Sequence, residues 1–195
     1  MDVATLTEFL PALALAIALA ASAGLRAWLP LLLAGSLARL GVLDLGPSFQ
    51  FLASNKALVL FGVATVIELV GDKIPAVDHA LDVIGTPLRP AAGALLAASV
   101  LGTVIDPLTS VVLGTAVGAP SALVPHAAKS ALRAASTAVT GGLANPLLSF
   151  LEDAISIVTF ILAVLVPLLV VALLGLTLYL ASRWLRRHRA TVPAA

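Results

Sequence analysis

From Ile155 to Leu180 the chain runs 26 residues without a charged side chain. As a helix rising 1.5 Å per residue, this run would be about 39 Å long. Only a lipid bilayer offers an apolar surrounding of that depth, its hydrocarbon core being about 30 Å thick. The run must therefore tilt, kink at Pro167 or overrun the bilayer. Residues 9–23, 56–74 and 91–105 are similarly oily. Charged residues are 11% of the chain and hydrophobic ones 61%, and the mean hydropathy is +1.12. A soluble domain carries roughly a quarter charged residues, so this composition cannot cover a surface that faces water. The apolar runs are continuous and rich in Ala and Leu, without the period-two alternation of barrel strands. The expectation is an all-α, polytopic membrane bundle of about four to six segments, in one transmembrane domain of 195 residues.

Composition also excludes classes. Cysteine is absent, so disulfides, thiolate metal sites and cysteine nucleophiles are ruled out. A net charge of +1 argues against an electrostatic nucleic-acid binder. The N-terminal stretch lacks the basic region of a signal peptide and carries Asp2 and Glu8, which reads as a retained membrane helix. No cofactor motif is present. His126 and His188 lack the spacing of a metal motif and read as structural or solvated.

Several apolar runs are short or interrupted. Residues 9–23 form a first segment, broken at Gly24 and Arg26. The continuation to residue 40, with Pro30 near its start, is short for a crossing, which suggests a half-helix or tight hairpin. Interrupted segments of this kind border binding sites in transporters. Residues 41–55 read as a loop, and Asn55 as the N-cap of a helix that Pro75 helps to end. That helix, from 56 to 74, would be about 28 Å long. Residues 91–105 and 108–125, joined at Asp106-Pro107, form either two short crossings or a re-entrant hairpin. Residues 126–145 read as an amphipathic helix at the interface or filling a gap, with Lys129 and Arg133 on one face. Tyr179 and Trp184 anchor the last segment, and the four arginines of "RWLRRHR" place that end in the cytoplasm.

Small residues recur at four-residue spacing, at Gly93/Ala97, Ala98/Gly102, Gly114/Gly118 and Ala134/Ala138/Gly142, where helices of one chain or of a homo-oligomer could approach closely. "SAGLRA" from Ser22 and "SALRA" from Ser130 echo one another. Each precedes an asparagine and a long apolar helix, which suggests half-repeats over about 8–75 and 90–182.

In so oily a chain, "IELVGDKIPAVDHALDVIGTPLRP" gathers Glu68, Asp72, Lys73, Asp78, His79, Asp82 and Arg89. Glu68 lies about 10 Å inside its helix end, and Asp72 is one turn further along the same face. Asp78 and Asp82 make a second such pair if the chain is helical beyond Pro75. A charge at mid-bilayer costs about 2.5–3.5 kcal/mol on insertion scales, so Glu68 needs a cation, water or a proton. Arg26, Lys73, Arg89 and Arg133 are the candidate countercharges. Glu152 and Asp153, after Asn145-Pro146, either suit the helix dipole or form a second half-site facing Glu68. Asp106 reads as a cap for the helix after it.

The runs "GLRAWLP", "SNKALVL", "ELVGDKIPAVDHALD", "LRPAAGALLAAS" and "GGLANPLLSFLEDAISI" together resemble the bacterial membrane family catalogued as domain of unknown function 4126. That resemblance covers nearly the whole chain and implies the bacterial inner membrane. "ELVGDK" is also similar to the Glu-x-Gly-Asp-Lys/Arg motif of small cation–proton exchangers, where two carboxylates bind a divalent ion. Here one extra residue separates Glu68 from Gly71 and no second copy follows, so the similarity speaks to chemistry rather than membership. The residues thus suggest a small transporter or channel, cation- or proton-coupled, with the lipid bilayer as its setting. The alternatives are a non-catalytic scaffold or accessory subunit, and a lipid-modifying enzyme holding Mg²⁺ at Asp78 and Asp82.

Overall fold

A computed structural model describes the backbone of residues 3–189, and side chains from residue 6 onward except at 75, 76, 78–80, 82, 168, 170, 171, 181, 184, 185 and 187–189. Among these residues every regular element is helical. The helices are α1 (Val3–Ala23), α2 (Trp28–Arg39), α3 (Asn55–Gly71), α4 (Pro75–Leu101), α5 (Pro107–Thr140), α6 (Asn145–Leu165) and α7 (Pro167–Arg189), with a 3-10 segment at Pro47–Ala53. Four of the described helices are long and apolar enough to cross a membrane. A fifth crossing results if the 3-10 segment and α3, bent by 57°, act together. This is a helical membrane bundle, as the charge-free runs require.

Inward and outward faces separate by chemistry rather than by hydropathy. Along α3, Val59, Val63, Val66 and Val70 point outward, while Phe61, Thr65 and Glu68 are buried. Both faces of such a helix are largely apolar, because lipid accepts valine as readily as a core does. The polar residues mark the inside instead.

The centre of the bundle is the α4–α5 hairpin with α1 laid across it. Small residues make this packing close. A side chain added at Gly114 would put its Cβ 2.5 Å from the Cα of Ala98. One at Gly93 would come within 2.7 Å of the Ala122 Cβ and 2.8 Å of the Gly118 carbonyl. The spaced small residues at Gly93/Ala97 and Gly114/Gly118 therefore serve contacts inside this chain. Gly24, where α1 stops, lies against the Ala122 carbonyl, leaving no room for a Cβ.

Local rules misplace several boundaries. α4 continues through Pro87 and Pro90 for 27 residues, so the chain beyond Pro75 is helical and the second half of the charged stretch opens a long helix. α5 continues through Pro120 and Pro125 for 34 residues. The expected short crossing at 108–125 and the amphipathic helix at 126–145 are one element. An internal proline costs a helix about 3 kcal/mol, which contact along the whole hairpin offsets. Membrane helices tolerate such prolines where neighbours support the backbone.

Other breaks fall where expected. Pro75 and Pro107 are first residues of their helices. Asp106 caps α5, its Oδ1 accepting from the Thr109 N–H at 3.0 Å. Hydrogen bonds from Thr109 hold its carboxyl below the ordinary carboxylate range. At Pro167 the last apolar run divides, with Val166 leaving helical geometry at φ −143° and ψ 68°. Asn55 is not the cap of α3. Ser54 has the extended backbone an N-cap needs and its Oγ accepts from the Ala57 N–H at 3.2 Å, whereas Asn55 begins the helix and bonds Arg39. The loop at 41–55 holds the 3-10 segment, which buries Phe49 and Leu52.

Gly114→Val should lower the melting temperature in detergent, at a cost of about 3 kcal/mol or more, because its side chain meets backbone that cannot yield. Gly62→Val, whose added Cβ meets nothing within 4 Å, should melt as the parent protein does. Equal effects at the two sites would refute close packing of this hairpin.

Candidate functional site

Two interruptions and three helices place the charged residues together. The turn between α1 and α2 contributes Arg26, and the end of α3 contributes Glu68 and Asp72. The outer half of α5 contributes His126, Lys129 and Arg133, spaced i, i+3 and i+7 on one face. The first turns of α6 contribute Ser149, Glu152 and Asp153, and α4 contributes Arg89.

Arg26 is completely buried. Its Nη1 pairs with Asp72 Oδ2 and its Nη2 with Asp153 Oδ1. The same Nη2 donates to the Ser149 Oγ at 3.0 Å and carbonyl at 3.3 Å. Asp72 Oδ2 is further approached by Lys129 Nζ at 3.4 Å and Arg133 Nη2 at 3.5 Å. Arg133 grips Glu152 with two bonds, Nε to Oε1 at 2.8 Å and Nη2 to Oε2 at 2.7 Å, and Lys129 Nζ lies 3.1 Å from Oε2. This two-pronged geometry is the strongest form of such a pair. Lys73 closes the outer edge, donating to Asp153 Oδ2 at 3.0 Å and to the Leu69 carbonyl at 2.7 Å, with the Phe150 ring centroid 4.5 Å away.

Glu68 is held differently. Its Oε1 accepts from the Ala27 N–H at 3.0 Å and its Oε2 from the Trp28 N–H at 3.3 Å. These amides begin α2, where the first N–H groups have no partner within the helix. Ala27 has no side chain able to cap them, so a carboxylate from 41 positions away in sequence does so. The partial positive charge of a helix N-terminus favours an anion there. Among the described residues no cation comes within salt-bridge distance of Glu68.

Two cavities meet the charged residues. One, of about 230 Å³, lies between α2, α3 and α4 and is lined by Trp28, Ala64, Glu68, Asp72, Leu88 and Arg89, among others. The other, of about 330 Å³, is mostly apolar, lies between α1, α5, α6 and α7, and reaches Lys129 and Glu152. The Asp72–Lys129 contact thus joins a residue of the first cavity to a residue of the second.

Four of the six predicted ligand carboxylates, Glu68, Asp72, Glu152 and Asp153, converge here. So do the predicted countercharges Arg26, Lys73 and Arg133. Arg89 lines the smaller cavity, its Nη1 3.0 Å from His126 Nδ1. The side chains of Asp78 and Asp82 lie outside the described residues, though both positions are in the first turns of α4. Asp106 stands apart, at the hairpin turn. Sequence reasoning missed Lys129 as a member of the site. Its i,i+4 relation to Arg133 was the available signal, but with α5 expected as two elements the pair marked only a helix at the interface or filling a gap. Among the described residues, no group of three or more His, Cys, Asp or Glu could hold a metal ion.

The family described as Domain of unknown function (DUF4126) matches residues 13–187. No curated protein and no solved structure matches the chain.

Arg26→Leu should cost about 3–5 kcal/mol in unfolding experiments in detergent, since it takes from the buried Asp72 its nearest cation and from Asp153 one of its two. Lys73→Gln, at a side chain 27% exposed, should cost about 1 kcal/mol or less. Comparable losses from both substitutions would contradict the central position given to Arg26.

Proposed function

This chain belongs to the DUF4126 family, and we propose that it is a small membrane transporter or channel that moves a proton or small cation past Glu68 and Asp72. One observation carries this reading. Glu68 is buried in a membrane bundle and lines a cavity, and among the described residues its contacts are two backbone amides and no cation. A buried carboxylate needs an opposite charge or a proton. A cavity beside it gives either one room to arrive and leave.

The surrounding geometry suits carriage. The α1–α2 and α3–α4 interruptions both lie at the charged centre, and interrupted helices at such sites can move as rigid halves. Glu68 holds the first turn of α2. Neutralising it weakens its grip on the Ala27 and Trp28 amides and frees α2 to shift at the Gly24–Ala27 turn. Asp72, one turn further along, shares its Oδ2 among Arg26, Lys129 and Arg133. When Asp72 is neutralised, those cations turn to Glu152 and Asp153, which connects the two cavities. The arginines near the C-terminus support an orientation with that end in the cytoplasm.

A second reading draws on the density of pairing around Arg26 and Arg133. Fully paired charges can fix the arrangement of a bundle without moving anything, and the protein is then a membrane scaffold or accessory subunit.

Proteoliposomes enclosing a pH-sensitive dye distinguish these readings. The parent protein should relax an imposed pH gradient or admit a small cation. Glu68→Gln should reduce that flux to the level of protein-free vesicles while melting within a few degrees of the parent. Undiminished flux through a folded Glu68→Gln protein would remove Glu68 from the mechanism, and no flux from the parent would favour the scaffold.

A further inference from the structure

The cavity beside Glu68 is larger than proton carriage requires. Water occupies about 30 Å³ per molecule in the liquid, so about 230 Å³ admits several waters or one compact organic molecule. We propose that this cavity binds a small organic monocation, a primary ammonium on a compact apolar body. This inference deepens the transport reading by naming its substrate class, and rests on that reading for its role in the membrane.

The polar end of the cavity is built for a donor. Glu68 and Asp72 are 7% and 2% exposed and lie one helical turn apart. Asp72 Oδ1 has no hydrogen-bond partner among the described residues, although Oδ2 of the same carboxylate has three cations near it. Leaving a buried acceptor unsatisfied is costly. Among the described residues the hydrogen bonds to Glu68 come from two backbone amides, so its carboxylate too can receive a charged donor. An ammonium carries three N–H groups and no acceptor, which fits two carboxylates one turn apart.

The remaining walls select the body of the ligand. Ala64, Ile67, Leu81, Ile84 and Leu88 are apolar. Trp28 also lines the cavity, its ring 6.2 Å from that of Phe61 and inclined by 30°. An indole attracts a cation over its face and accommodates hydrocarbon. A hard divalent ion fits poorly, since Mg²⁺ or Ca²⁺ takes six or more oxygen ligands. Among the described residues this lining offers two carboxylates.

Cyclohexylammonium and cyclohexanol test this, because they share shape and differ in charge. The full chain carries two tryptophans, so Trp184→Phe leaves Trp28 as the reporter. In detergent, cyclohexylammonium should shift Trp28 emission saturably and bind about tenfold or more tightly than cyclohexanol, as a charge-assisted bond to a buried carboxylate implies. Na⁺ and Mg²⁺ should leave the emission unchanged. Glu68→Gln should abolish the difference between the two probes. Ala64→Phe, which adds bulk to the cavity wall while keeping both carboxylates, should abolish saturable binding in a protein that still folds. Equal binding of both probes, or saturable binding that survives Ala64→Phe, would overturn the proposal. Glu68-dependent proton flux without cyclohexylammonium binding removes the organic ligand and leaves proton carriage standing. Binding without flux of any kind confirms the site and removes transport.

Discussion

The meeting of Arg26 with Asp72 and Asp153 is the contact on which the arrangement depends. An arginine with no exposed surface, in a break between two membrane helices, is tolerable only if anions come to it. Asp72 comes from the end of α3 and Asp153 from the start of α6, so one guanidinium ties together three separate parts of the chain. Lys129 and Arg133 join α5 to the same centre through Glu152 and Asp72. Lipid provides no hydrophobic drive between helices comparable to that in water. Close packing at Gly93, Gly114 and Gly118 and this paired centre therefore carry much of the specificity of assembly.

Glu68 stands out against that background. Asp72, Glu152 and Asp153 each lie within salt-bridge distance of arginine or lysine, while among the described residues the hydrogen bonds to Glu68 come from the amides that begin α2. A backbone dipole stabilises an anion without removing the possibility of a mobile partner, and the adjoining cavity offers such a partner space. Glu152 and Asp153, each paired with cations, thus fix the bundle, while Glu68 and Asp72 line the adjoining cavity.

Legibility in the sequence followed the strength of the local signal. Glu68 and Asp72 were readable because an acidic residue deep in an apolar run has no inexpensive explanation, and i,i+4 spacing fixes a shared face. The Asp106-Pro107 and Pro75 boundaries were readable from cap and proline chemistry. Pro90 and Pro125 carry the same local signal, and the segment limits placed beside them misled. The prolines' cost of a few kcal/mol is small beside a long helical interface that no short window reveals. Lys129 was lost through that error, since a helix cut at residue 125 leaves it on an exposed face. The Ser54 cap was missed by one position, where extended backbone rather than residue type decides.

By itself, the sequence determined the solvent and the helical class of the fold. With 11% charged residues and long charge-free runs, the chain must be helical in lipid, where each backbone group needs a partner within its own segment. It also determined that the buried carboxylates need partners. Only the tertiary structure decided which partners they take. Arg26 meets Asp72 from 46 positions away, and the α2 amides meet Glu68 from 41. Pairing across such separations depends on how the helices cross, and crossing is set by small-residue contacts distributed over several elements. No local pattern holds that information, because the energy of each contact exists only once both helices are in place.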